Sequence, residues 1–165
     1  MRVLGIDASL RSTGLGVIES RAGRLAAVEY GTVRNPSAHP HSECLRRLRE
    51  EVAAVLAHTR PDAAALEGGF FFKNAKTAMI LGEARGVVIA ACATAGVPVF
   101  EYSPKLVKQA LTGFGGAQKD QVSRMVMSIL GLKEKPQEDA ADALALAICH
   151  IQSQSGIVEL RPKPI

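Results

Sequence analysis

Four carboxylates stand at the ends of otherwise apolar segments: Asp7 closes "RVLGID", Glu67 closes "PDAAALE", and Asp139 and Asp142 open "QEDAADALALAICH". On a helix, residues three apart project about 60° from one another around the axis, so Asp139 and Asp142 share a face. Each acid alone has an ordinary explanation. Asp7 could form a turn, Glu67 could sit at a solvated strand end, and acids in a first helical turn are favoured by the unpaired N–H groups and the helix dipole. That last account suits Asp139 better than Asp142, which lies about one turn further in. Taken together the four are unusual, because strand ends and a helix N-terminus can converge on one pocket. Four carboxylates there repel one another unless a cation holds them. Mg²⁺ takes oxygen ligands of this kind together with phosphate oxygens. Two such ions can activate a water and stabilise the leaving oxygen of a phosphodiester. No CxxC or metal-spaced histidine pair offers a rival zinc site, and "HPH" at 39–41 reads as surface.

The elements that must position these acids follow from pattern. "RVLGID", "TGLGVIES" and "RLAAVEYGTV" read as three strands of an antiparallel meander, with turns at Ser12–Thr13 and Arg21–Gly23. Leu45, Leu48, Val52, Val55 and Leu56 form the apolar stripe of a helix over 41–58. The buried strand 61–67, the loop "GGFFFKN", a helix over 74–95 and the strand "VPVFEY" come next. Helices follow from about 103, over 118–130 and from about 138. Five strands, first as a meander and then alternating with helices, predict an α/β fold: a mixed five-stranded sheet with helices on both faces. The 74–95 helix is apolar most of the way round, which fits either a central helix or one whose second face meets another subunit.

With 165 residues, 47% of them hydrophobic, the chain is long enough for one self-sufficient core, placed at 1–152 with a disordered tail over 153–165. Cys44, Cys92 and Cys149 are an odd, scattered set, which argues for a reducing compartment and against a disulfide framework. No signal peptide is legible at the start, and Glu83 and Arg85 interrupt the longest apolar stretch, so the expectation is a soluble, cytoplasmic protein without a membrane span. The net charge of +4 is matched by residues 105–135 alone, where Lys105, Lys108, Lys119, Arg124, Lys133 and Lys135 outweigh Asp120 and Glu134, six minus two. A basic stretch leading to an acidic pocket suits a phosphate backbone, although it also reads as a solvated helix face. Phe70, Phe71 and Phe72 follow two glycines and could offer one aromatic wedge to an unstacked base.

"LGIDASLRSTGLGVI", "LEGGFFFKNAKTAMILGEARGV", "VFEYSPKLVKQALTGFGGAQKDQV" and "QEDAADALALAICH" resemble successive blocks of the RuvC Holliday-junction resolvases, in order and spacing over about residues 3–150. The resemblance implies a ribonuclease-H-like fold. It implies a homodimer that cuts four-way DNA junctions with Mg²⁺ or Mn²⁺, two ions per site, leaving 5′-phosphate and 3′-hydroxyl ends. It places Asp7, Glu67, Asp139 and Asp142 on the catalytic acids, Lys108 and Lys119 near the scissile phosphate, and Phe70 on an aromatic that meets DNA. A branch-migration complex of the RuvA–RuvB kind is an implied partner. Gly68 and Gly69 depart from the family, which commonly has a polar residue after the glutamate. Three other readings stand beside this one. An actin-like ATP-binding domain would share the "GIDASLRSTG" hairpin but needs a second lobe. A non-catalytic junction binder would gain nothing from a negative pocket. A nuclease of the same fold could act on another nucleic acid.

Overall fold

In a computed structural model, residues 1–68, 74–155 and 162–165 are described. Strands β1 (Arg2–Asp7), β2 (Ser12–Arg21), β3 (Arg24–Arg34), β4 (Ala63–Glu67) and β5 (Val99–Tyr102) form one sheet in the order β3-β2-β1-β4-β5. The first three pair antiparallel, and β1–β4 and β4–β5 pair parallel. The helices are α1 (His41–Thr59), α2 (Ala75–Thr94), α3 (Pro104–Thr112), α4 (Lys119–Leu130) and α5 (Glu138–Ser153). The expected mixed five-stranded sheet is therefore present.

Side-chain alternation divides the core into two layers. On β1, Leu4 and Ile6 pack with α1 and α2 residues such as Leu48, Val52 and Val88, whereas Val3 packs with α3, α4 and α5 through Val107, Val126 and Leu144. By the period of two, Gly5 and Asp7 belong to the Val3 face. On β4, Ala65 lies on that face and Leu66 on the other, which puts Glu67 with Asp7.

Two glycines bring α5 down onto this face. A Cβ on Gly5 would collide with the carbonyl oxygen of Ala143, and one on Gly14 with that of Asp139. The alanines of α5 (Ala140, Ala143 and Ala147, each at most 1% exposed) meet these glycines without side-chain bulk. Its composition is that of a helix lying flat on a sheet.

Two sequence expectations change. Ser12 and Thr13 do not form the first turn; they pair with Arg34 and Val33 in the β2–β3 ladder. The connection lies over 8–11, where Ser9 N–H donates to Thr13 Oγ1 (3.1 Å) and Thr13 Oγ1 donates to the Ser9 carbonyl (2.5 Å). The hydroxyl that suggests a turn closes one from inside the strand. The second turn falls at Ala22–Gly23, both with positive φ (50° and 76°), as expected.

Helix α2 also departs from expectation. By length and mean hydropathy (1.4) it is apolar enough to cross a membrane, contrary to the sequence reading. It packs against α1 and β5, with Ala84, Val88, Ala91 and Cys92 buried. The opposite stripe, Met79, Gly82, Gly86, Ala90 and Ala93, is exposed, so α2 is not a central helix in the single chain. All three cysteines are free and buried. Residues 156–161 of the expected tail lie outside the described residues, and Ile165 N–H donates to the Val99 carbonyl at 2.9 Å.

Candidate active site

The site is assembled from three elements. The register that sets Ile6 beside Leu66 brings Asp7 and Glu67 side by side at the ends of two parallel strands. The antiparallel register sets Asp7 opposite Gly14, and Gly14 lies beneath the Asp139 backbone. The missing side chain at Gly14 thus lets the mouth of α5 settle against the end of β1. One turn further along, Asp142 joins Asp7 and Glu67 in the wall of a cleft of about 380 Å³. Pro104, Val107 and Lys108 of α3 and Lys119 and Val122 of α4 line it too.

Capping does not explain the two aspartates. The residue before the helix is Gln137, with no side-chain cap, and Asp142 lies beyond the first turn. Asp139 does not turn back to the helix N–H groups; its Oδ2 accepts a short hydrogen bond from Ser12 Oγ on β2. Asp142 lies 3.8 Å from Lys119 Nζ, which also donates to Glu138 at 2.7 Å.

The electrostatics are those of crowded acids. Burial, then the charges of Asp142, Glu67 and Asp139, push the Asp7 carboxyl up to about 7. Burial and Asp142 raise Glu67, and burial raises Asp142 against the opposing pull of Lys119. Glu138, which pairs with Lys119 outside the cleft, is instead lowered. Carboxylates held above their ordinary range gain most from a hard cation with oxygen ligands, so the donor set fits Mg²⁺ or Mn²⁺. Among the described residues, no three acidic, histidine or cysteine side chains are close enough to hold an ion as they stand. Ser12 and Lys119 engage Asp139 and Asp142 at the rim.

Of the sequence-predicted residues, Asp7, Glu67, Asp142, Lys108 and Lys119 share the cleft, and Asp139 stands at its edge through Ser12. Phe70 lies outside the described residues. Two further residues bear on the site. Ser12 fixes Asp139, and Arg85 of α2 donates to the carbonyl of Glu67 and pairs with Glu101 on β5, tying the end of β4 from behind. Neither was legible, since the contacts cross 127 and 18 residues of sequence.

The comparisons point the same way. Residues 3–150 match the family described as crossover junction endodeoxyribonuclease RuvC. The chain is 47% identical over 154 residues to the crossover junction endodeoxyribonuclease RuvC of Syntrophomonas wolfei, covering 93% of this chain and 90% of that one. It superposes on Thermus thermophilus RuvC with a TM-score of 0.88 at 38% identity, covering both chains completely. It likewise superposes on the same organism's RuvC in complex with a Holliday junction substrate, with a TM-score of 0.89 at 36% identity and both chains fully covered.

Proposed function

The chain belongs to the RuvC family of crossover junction endodeoxyribonucleases, and we propose that this Holliday-junction resolvase hydrolyses one phosphodiester in each of two opposed strands, using Asp7, Glu67, Asp139 and Asp142 as its acids. The observation that carries the reading is the cleft itself: acids from β1, β4 and α5 facing lysines from α3 and α4. An actin-like nucleotide clamp would need a second lobe, and all five strands here belong to one sheet.

Asp7, Glu67 and Asp142, with Asp139 at the rim, would hold divalent cations, two per site, as Mg²⁺ or Mn²⁺. When bound, such ions supply Lewis acidity towards a water and offset charge on the leaving oxygen. The chain's own residues do the rest. Lys108 and Lys119 draw the phosphate to the cleft and reduce the repulsion it meets from the acids. Lys119 is prepared for that role by its exposed position between Glu138 and Asp142, which it can exchange for a phosphate oxygen. Gly14 and Ser12 set the height and direction of Asp139. Attack by water at phosphorus breaks the bond to the 3′ oxygen, so the ends are 5′-phosphate and 3′-hydroxyl. Phe70, three residues beyond Glu67, supplies an aromatic wedge at the branch point.

The exposed stripe of α2 supports a homodimer. Met79, Gly82, Gly86, Ala90 and Ala93 recur at helical spacing and offer small apolar residues to a second copy. Two-fold symmetry would present two cleavage sites to the two equivalent strands of a four-way junction. Val88 is fully buried in the chain's own core, so Ala90→Glu, and not a change at Val88, is the informative variant. Light scattering should report a folded monomer for Ala90→Glu; a monomeric wild type at micromolar concentration would sink the dimer. The protein acts on DNA in the cytoplasm, with a RuvA–RuvB-type complex as a partner implied by the family.

The substrate assignment is tested by comparing a mobile four-way junction with duplex, flap and RNA–DNA hybrid while Mg²⁺ and Mn²⁺ are titrated. Symmetric nicks confined to the junction are expected. Equal cutting of a linear hybrid would move the protein to another nuclease class of the same fold.

A further inference from the structure

Resting on the junction-nuclease reading, we propose that Phe114 is a second DNA-stacking position: its ring packs against an unstacked base of the strand that Lys108 and Lys119 lead into the cleft.

Phe114 is the most exposed large hydrophobic residue among those described, at 68%. A single exposed apolar side chain is ordinary on a protein surface. The way this one is held is not. The loop over 113–118 joins α3 to α4, the two helices that supply the basic wall of the cleft. Its backbone is fixed at both sides of the ring. Phe114 N–H donates to Thr112 Oγ1 at 3.2 Å, and the Phe114 carbonyl accepts from Ala117 N–H at 3.1 Å, with Ala117 itself buried. The ring lies over Gly116, where a Cβ would stand 2.7 Å from Cζ. The neighbouring Gly115 makes the same room for the stem of Lys105, whose Cγ would be 2.7 Å from a Cβ there. The two glycines therefore seat an aromatic ring and a lysine stem next to each other on an anchored loop. Hydrophobic burial cannot be the purpose, since the ring faces water.

A flat apolar face beside cationic side chains is what single-stranded nucleic acid recognises: bases stack on the ring while phosphates follow the lysines. Phe114 sits on the loop that joins the helices carrying Lys108 and Lys119, so its ring is placed beside the basic wall of the cleft. Phe114 meets the strand from the α3–α4 side of the cleft. Stacking tolerates any base, so the contact would add affinity for opened, unstacked DNA without adding sequence preference.

The test uses the absence of tryptophan from the chain. Phe114→Trp places the sole indole on the loop. Its emission should be quenched by a four-way junction and unchanged by heparin, a polyanion without bases. Phe114→Ala should keep the wild-type melting temperature and weaken junction binding roughly 5- to 140-fold, the range that one stacked base gives on alanine substitution. Phe114→Tyr should restore it. Junction binding by Phe114→Ala within twofold of wild type would overturn the proposal, and so would an indole that answers heparin as it answers DNA. Should Phe114→Ala fail to fold, the indole response decides alone. Wild-type binding is measured in the same titration, and its absence would count against the junction-nuclease reading itself.

Discussion

The two ends of α5 hold ionisable groups in opposite ways. At its N-terminal end, Asp139 and Asp142 stand with Asp7 and Glu67, and burial and mutual repulsion push Asp7 up to about 7. At its C-terminal end, His150 is 2% exposed and burial pushes its imidazole down to about 4. There the Tyr102 hydroxyl hydrogen-bonds His150 Nδ1 at 2.7 Å and Ser153 Oγ at 3.0 Å, and the Phe100 ring lies 4.6 Å from the imidazole. One end keeps acids that Lys119 offsets only in part; the other neutralises a group by burying it and pairing its polar atoms. The lesson is a division of labour along one helix: instability is kept where a ligand can relieve it, and stability is concentrated where none can reach.

The sharpest way to break the comparison is at the first end. Asp142→Asn should lower junction cleavage at least about a hundredfold, as removing one preorganised charge does elsewhere. Its melting temperature in metal-free buffer should be unchanged or higher, because repulsion falls. Cleavage and thermal scans on the same preparation check this, and wild-type cleavage would return Asp142 to an ordinary helix residue. The converse is His150→Ala, which should cost about 2–4 kcal/mol by opening a cavity and removing a buried hydrogen bond. Urea titration measures that loss, and the cleavage rate per folded molecule should stay near wild type.

Acidification separates the two ends without mutation. Asp7 is raised when folded, so its contribution in metal-free protein grows as pH falls from about 7 towards its ordinary value near 3.8. His150 is depressed when folded, so its contribution, on the order of 3 kcal/mol at most, is present above pH 6.5 and drains away as pH falls towards 4. Between pH 6.5 and 4 the two oppose each other. Melting temperature against pH should therefore fall more steeply in Asp7→Asn than in wild type, and less steeply in His150→Gln. Parallel curves would show that neither group is perturbed as described.

The smallest effect is expected at the rim. Ser12→Ala removes one hydrogen bond to Asp139, worth about 1 kcal/mol, and should slow cleavage roughly fivefold with little change in stability. Steady-state kinetics across a metal titration would show the loss as a higher cation requirement.

Much of this was legible in the sequence because it is local. The apolar runs of β1 and β4 end at Asp7 and Glu67, and the spacing of Asp139 and Asp142 puts both on one helix face. What stayed hidden depends on partners far along the chain. Gly5 and Gly14 read as ordinary strand glycines until α5 lies across them. Ser12 reads as a turn residue until its hydroxyl meets Asp139. The apolar circumference of α2 is a fact of composition, whereas which stripe is covered depends on where α1 and β5 pack. Phe114 was passed over inside a glycine loop, because exposure has no signature in sequence.

The seating of α5 on β1 and β2 also sets when the enzyme comes into being. Asp7 is made 135 residues before Asp142, and at about 5–20 residues per second the ribosome takes roughly 7–27 seconds to pass from one to the other. Throughout that interval the meander of β1, β2 and β3 can fold, but the groove formed by Gly5 and Gly14 has nothing to receive. A chain without α5 thus holds Asp7 and Glu67 but lacks the two aspartates proposed to act with them, and it is expected to leave junctions uncut. On the proposed reading α5 completes the site, and it does so only after the sheet that receives it has been made.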